Sequence, residues 1–305
     1  MNALAKYTWG LLAYNLGVIL WGAYVRATGS GAGCGRHWPT CNGEVIPLEP
    51  SIKTMIEYSH RFTSGLALIS VLVLLVWAIR LYPKGHQVRK GAWASVILMI
   101  TEGGLGAGLV LFELVAGDTS MARVYSMGLH LINTFLLLAA ISLTAFWASG
   151  GKDFFLKGHG AIGRKVYTGL GLLLLIGVTG AVTALGDTLF PPEGIGAGMM
   201  ADGEGGVYFI KRLRIFHPIL AVTLGLYFLF LGMNLRRPRF SEPVRRLAGG
   251  LMALYVAQIG VGVVNIFLHV PVWTQMLHLL FADLVWITLV LVGAQVFTEG
   301  ADQTA

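Results

Sequence analysis

Charge is scarce in this chain. Of its 305 residues only 12% are Asp, Glu, Lys or Arg, against 55% hydrophobic. That leaves too little polar surface to clothe a soluble domain of this size. Cysteine is almost missing too. The two thiols, Cys34 and Cys41, are too few for a four-thiolate zinc site, and their spacing does not fit the Cys-x-x-Cys-His attachment of a c-type haem. No second Glu-x-x-His joins Glu57-Tyr58-Ser59-His60, which excludes the paired motif of a di-iron carboxylate bundle. The glycine run from Gly29 to Gly35 leads into no helix of nucleotide-binding type.

What the chain does have is apolar length. Eight windows are long enough to cross a bilayer as helices: 7–27, 55–79, 92–112, 124–147, 165–185, 211–233, 248–268 and 274–297. Lipid offers no partner to an open sheet edge, so the expected fold is an all-α integral membrane protein. The first window has no small-residue cleavage site after it and reads as a retained helix. Basic residues set the orientation. Most Lys and Arg fall at the N-terminus and in the even-numbered loops: Lys6, Arg80 to Lys90, Lys152 to Lys165, and Arg236 to Arg246. That places both termini in the cytoplasm, in a cell inner (plasma) membrane. The net charge of +7 is then a topology signal and needs no nucleic acid to explain it.

The two halves repeat each other. Gly22-Ala23-Tyr24-Val25 resembles Gly180-Ala181-Val182-Thr183, and His60 maps to His217. Glu102-Gly103-Gly104-Leu105-Gly106 maps to Gln258-Ile259-Gly260-Val261-Gly262, and Met127-Gly128-Leu129-His130 to Gln275-Met276-Leu277-His278. The expected architecture is two tandem four-helix bundles, residues 1–150 and 151–305, related by a pseudo-two-fold axis along the membrane normal. The outer loops break the repeat. Residues 29–54 hold both cysteines, whereas 187–210 are Gly-rich and acidic (Asp187, Glu193, Asp202, Glu204).

Chemistry concentrates on His60, His130, His217 and His278. They lie at matched depth in spans two, four, six and eight, toward the outer face, with one pair in each half. A single buried histidine is commonly a satisfied core residue. Paired neutral imidazoles across a bundle are a way to hold b-type haem. His37, His86, His159 and His269 fall in loops or at a span end. Glu57 shares a helix face with His60; it could handle protons or simply pair with Arg61. Its counterpart before His217 is Arg214. Arg26, Arg61, Arg123, Lys211, Arg212 and Arg214 line the outer edge, where they can meet haem propionates or snorkel to headgroups, and propionate contact is the expectation for Arg26 and Arg214. Cys34 and Cys41 are expected to pair outside the cytoplasm, either closing the loop or as an exposed, reducible bridge. Glu102, in mid-span with neutral Gln258 as its counterpart, reads as part of a polar packing network. Gly104-x-x-x-Gly108 and Gly260-x-Gly262 read as close helix approaches or room for a porphyrin face.

With these residues in view the chain resembles the haem A synthases. The resemblance rests on Thr28-Gly29-Ser30-Gly31-Ala32-Gly33-Cys34, Trp38-Pro39-Thr40-Cys41-Asn42-Gly43, Glu57-Tyr58-Ser59-His60-Arg61, Leu129-His130, Phe216-His217-Pro218 and Leu277-His278. It implies an oxidoreductase that turns a methyl of haem O into a formyl through hydroxylated intermediates, giving haem A for haem-copper oxidases. It implies substrate between His60 and His130 with Glu57 beside it, and a haem b cofactor on His217 and His278. It also implies a Cys34–Cys41 disulfide, and haem O synthase and haem-copper oxidase as pathway partners. Two features depart from the family pattern: there is no cysteine pair in the third outer loop, and Glu102 stands where Gln is usual. The competing readings are a bis-histidine two-haem electron-transfer cytochrome and a haem transporter. Small-residue helix faces leave a homo-oligomer open, and the electron-transfer partner is not identified.

Overall fold

A computed structural model describes residues 1–153, 160–191 and 205–298, without the side chains of 205–209. The expected acidic residues Glu193, Asp202 and Glu204, together with Lys157 and His159, lie outside the described residues. Eight helices run through the described chain: α1 (Ala3–Ala27), α2 (Ile52–Leu81), α3 (Gln87–Leu111), α4 (Met121–Ala148), α5 (Gly160–Leu189), α6 (Gly205–Leu235), α7 (Glu242–Phe267) and α8 (Val272–Thr298). All eight are long and apolar enough to cross a membrane. This is an all-α integral membrane protein.

The helices outrun the apolar windows because their ends are capped in polar sequence. Asn2, Ser51 and Ser120 accept the backbone N–H of Ala5, Thr54 and Arg123, so α1, α2 and α4 start several residues before hydrophobicity does. The His86 ring nitrogen does the same for Val88 at the start of α3.

Within each half the helices close a ring: α1 on α2, α2 on α3, α3 on α4 and α4 back on α1, then α5 to α8 likewise. Between halves, α1 and α4 meet α5 and α8. This set of contacts is consistent with a two-fold relation between tandem bundles. It makes α4 and α8 the central helices, and their sequences show it, with buried residues spread along most of their length. The peripheral helices instead expose large apolar side chains, such as Ile69 and Val73 on α2, Ile97 and Ile100 on α3, Leu226 and Phe230 on α6, and Val256 and Val263 on α7. Water would penalise that surface. Lipid does not.

Polar side chains inside the bundles find partners across helices. Tyr7, Tyr14 and Trp21 recur every seven residues on α1. They donate to Ser70 O (2.8 Å), Thr63 O (2.9 Å) and Ser59 Oγ (3.0 Å) of α2. Tyr255 of α7 donates to Ala221 O of α6 (2.9 Å). Between the halves, Trp286 Nε1–H of α8 donates to the Phe135 carbonyl of α4 (2.6 Å), and the two rings stack at 5.0 Å.

That inter-half bond is testable. Trp286→Phe keeps the stacking but leaves the carbonyl one donor short, at an expected cost of about 1 kcal/mol. The thermal midpoint of purified protein in detergent should fall, whereas Trp273→Phe at an exposed position should leave it unchanged.

Candidate functional site

Each bundle brings its two histidines into one electrostatic neighbourhood, His60 with His130 and His217 with His278. The rings come from the second and fourth helix of each half. Glycine on the preceding helix makes room for them. A Cβ on Gly22 of α1 would lie 2.8 Å from His60 Cε1, and one on Gly180 of α5 would lie 3.0 Å from His217 Cε1. A Cβ on Gly262 of α7 would lie 3.0 Å from His278 Cε1, and one on Gly106 of α3 would lie 3.9 Å from His130 Nε2. The four glycines and four histidines are the repeat anchors of the sequence, now seen as ring-on-glycine contacts. The close approach on α3 falls at Gly106; Gly104 faces open space and Gly108 meets only Phe112 of its own helix end.

The imidazole nitrogens have different partners. Thr179 Oγ1 lies 3.0 Å from His217 Nδ1. Gln258 Nε2 lies 3.2 Å from His278 Nε2. His60 Nδ1 and His278 Nδ1 are buried without a hydrogen-bond partner. Glu102 Oε1 lies 3.2 Å from His130 Nδ1, within ion-pair range but off the line of a well-aligned N–H donor. The Glu102 carboxylate also accepts from Asn133 Nδ2 (2.6 Å) and from the Thr134 hydroxyl. This contact was missed in the sequence. Its signal was the repeat itself, since Glu102 and Gln258 occupy matching positions and both reach the histidine of the next helix.

Glu57 is turned toward the outer loop. Its Oε2 accepts the Cys34 N–H (2.8 Å), and its Oε1 meets Arg61 Nη2 at 2.5 Å and Nε at 3.1 Å. Arg61 in turn donates to the carbonyls of His37 (2.5 Å) and Thr40 (2.7 Å). The loop is folded onto α2 through this pair. Cys34 and Cys41 form a disulfide, and both residues are buried. Of the two readings the sequence left open, the burial of both residues accords with the bridge that closes the loop rather than with an exposed one. Gly33 permits the closeness, because a Cβ there would meet the Lys53 carbonyl at 2.5 Å.

Arg26 and Arg214 belong to a separate network at the junction of the halves. Arg26, in the last turn of α1, reaches into the other half and donates to Ala184 O (2.5 Å), Thr188 Oγ1 (2.8 Å) and Gln275 Oε1 (3.2 Å). Arg214 pairs with Asp187 (2.8 Å) and donates to Gly186 O (2.9 Å) and Phe190 O. Arg26 and Arg123 also lie within electrostatic reach of each other. Arg123 itself is buried and donates to Ala116 O (2.7 Å) and Asp118 O (2.8 Å). Two basic groups close together, with one acid beside Arg26, favour an anionic visitor.

The donor set fits a porphyrin iron. The two imidazoles of each bundle lie within electrostatic reach of each other, each ring has glycine at its side, and three of the four rings hold a buried Nδ1 without a well-aligned partner. The family model described as cytochrome oxidase assembly protein, COX15-CtaA, matches residues 5–290. The chain belongs to that family. It is 51% identical over 300 residues to a protein named Protoheme IX farnesyltransferase from one strain of Thermus thermophilus, a match that spans 98% of this chain and 49% of that relative. A second strain of the same species has a counterpart at 50% identity with the same coverage. The chain thus spans about half the length of these two curated relatives. It is also 30% identical over 284 residues to a Heme A synthase from Alkalihalophilus pseudofirmus, covering 90% of this chain and 92% of that one. This COX15-CtaA member therefore carries its four-histidine pattern on a structure whose two halves differ in what surrounds the rings.

Arg61 is the point at which to break the loop clamp. Arg61→Ala leaves the buried Glu57 carboxylate without its cation and frees two loop carbonyls. The expected cost is about 3 kcal/mol or more. Limited proteolysis should then cut within residues 36–48, which the intact protein should resist.

Proposed function

We infer that the protein is a haem A synthase, an oxidoreductase that acts on a methyl group of haem O and carries it to a formyl through hydroxylated intermediates. The observation behind this reading is the imidazole pair in each bundle, on its second and fourth helices, of a chain that aligns with 92% of a Heme A synthase. The farnesyltransferase name belongs to relatives twice as long. The half of them that this chain does not match is free to account for it, so prenyl transfer is not assigned to this chain.

In this reading residues 1–150 form the substrate half and 151–305 the electron-handling half. His60 on α2 and His130 on α4 would hold the iron of haem O. Glu57, one turn before His60, is the group placed to accept a proton as the methyl is oxidised, and Arg61 is its ion-pair partner. The loop closed by Cys34 and Cys41 lies against α2 at this end of the bundle and shields the site from bulk water. His217 and His278 hold a haem b, which supplies one-electron chemistry when bound. Contact between α4 and α8 brings the two halves' central helices together, which supports electron passage between them. Arg26 and Arg214 turn part of their donor capacity to propionates at the outer edge. The protein sits in the plasma membrane with both termini cytoplasmic and the haem sites toward the outer face. Haem O synthase supplies the substrate, and a haem-copper oxidase receives the product.

Expression in a host that makes haem O, followed by haem extraction and mass spectrometry, tests the reading. Haem A or its hydroxylated precursor is the expected new species. Glu57→Gln should abolish it while the C-terminal haem stays bound. Unchanged haem O from folded, aerobic wild type would instead favour the electron-transfer cytochrome, for which the alike histidine pairs of the two halves already speak. A second prediction concerns the ring seats. Gly180→Leu should displace the His217 imidazole and cut the haem-to-protein ratio by about half, whereas Gly171→Leu, facing open space on the same helix, should not.

A further inference from the structure

The two bundles differ at one matched position that touches the histidine of the fourth helix. In the N-terminal half this is Glu102, whose carboxylate lies 3.2 Å from His130 Nδ1. In the C-terminal half it is Gln258, whose amide lies 3.2 Å from His278 Nε2. The two contacts act on opposite sides of the ring. An amide at Nε2 competes with anything that ligand nitrogen would bind. A carboxylate at Nδ1 leaves Nε2 to the iron and acts from behind the ring.

Glu102 is also held in place. Asn133 Nδ2 donates to one carboxylate oxygen at 2.6 Å and to the Leu98 carbonyl at 2.9 Å, tying the group to both α3 and α4. The Thr134 hydroxyl lies within hydrogen-bond distance of both the other oxygen and the His130 carbonyl, and its one proton can serve either. Two donors from the turn that follows His130 therefore fix the acceptor that faces its Nδ1. Both donors aim at carboxylate oxygens, so the group is held as an acceptor, with His130 Nδ1 at ion-pair distance from Oε1 but out of line with it. His278 Nδ1 has no such acceptor.

We propose that Glu102 is a positioning residue for His130: it fixes the ring's tautomer and rotation and strengthens its donation to iron, so that the two halves hold their haems at different redox poise. The proposal rests on the reading that His60 and His130 ligate the substrate iron. The physical basis is general. An acceptor on the far nitrogen of a ligating histidine raises ligand basicity, and its removal changes metal-site properties by about tenfold or more. A stronger donor stabilises ferric over ferrous iron. The consequence is that the N-terminal site carries the lower potential of the two.

The test is an anaerobic potentiometric titration of the full-length protein loaded with haem O, followed by its visible spectrum. Wild type should show two one-electron waves. Glu102→Gln preserves size but keeps only one of the two acceptor oxygens that Asn133 and Thr134 bond, and it weakens the acceptor beside His130. It should move one wave to higher potential, with about a tenfold rise in the ferrous-to-ferric ratio at fixed poise, or about 59 mV for one electron. The other wave should stay in place. Thr134→Val, which only loosens the carboxylate, should shift the same wave by a smaller amount in the same direction, and Glu102→Asp should restore part of the wild-type value. Two waves that stay unmoved in both Glu102→Gln and Thr134→Val would overturn the positioning role and leave the haem assignment standing. A wild type with no wave attributable to His60 and His130 would remove the underlying reading, and this proposal with it.

Discussion

The close approach of an imidazole ring to a glycine backbone is the contact on which the rest of this structure turns. A helix normally presents a Cβ at every position, and a ring cannot lie against the next helix where one stands. At Gly22, Gly180 and Gly262 the missing Cβ opens that room, and each time the occupant is one of the membrane histidines, whereas His130 lies beside Gly106 at an ordinary contact distance. Helix spacing, ring depth and the pairing of the rings within a bundle follow from these four positions. The glycines are thus not helix breakers tolerated in lipid, nor generic small-residue interfaces. Three of the four would bring a new Cβ within about the sum of van der Waals radii or closer, so even alanine is a tight fit.

A second constraint comes from the lack of water around the helices. Hydroxyl, indole and amide groups inside the bundles have to reach protein acceptors; many hydroxyls bond a carbonyl one turn back on their own helix, as Thr8 and Thr144 do, and tyrosine and indole groups reach a neighbouring helix. The seven-residue series on α1 and the Trp286 bond between halves show two scales of the same rule, one within a bundle and one between bundles. Charged groups obey it more strictly. Glu57 and Arg214 occupy matching positions in the repeat with opposite sign, and each is buried against a partner of its own, Arg61 in one half and Asp187 in the other. The duplication kept a charged clasp at this point and reversed its polarity.

Much of this was legible from residue order. Apolar runs set the number of helices, and repeated anchors gave the pairing of the halves, because both depend on patterns that survive in one dimension. Helix ends were less legible, since Asn2, Ser51 and Ser120 extend the helices into polar sequence by capping. Side-chain direction was harder still. Glu57 shares a face with His60, yet its carboxylate goes outward to Arg61 and the Cys34 N–H, where strong donors wait. Glu102 was read as part of a polar packing network, which its bonds to Asn133 and Thr134 form, but nothing along the sequence says that it also lies beside a histidine 28 positions away. Arg26 points into the other half for the same reason. Its acceptors lie on α5 and α8, far along the chain.

That reach of Arg26 bears on the order of synthesis. A polytopic protein threads its helices into the bilayer one after another, and α1 is among the first to leave the ribosome. The groups that receive its guanidinium belong to α5 and to α8. Until α8 is inserted, Arg26 has only part of its partner set and must remain near the wet edge of the membrane. The contacts of Arg26 at the junction between the halves are therefore complete only after α8 arrives, and the early bundle waits with this rim contact unmade while the second is being made.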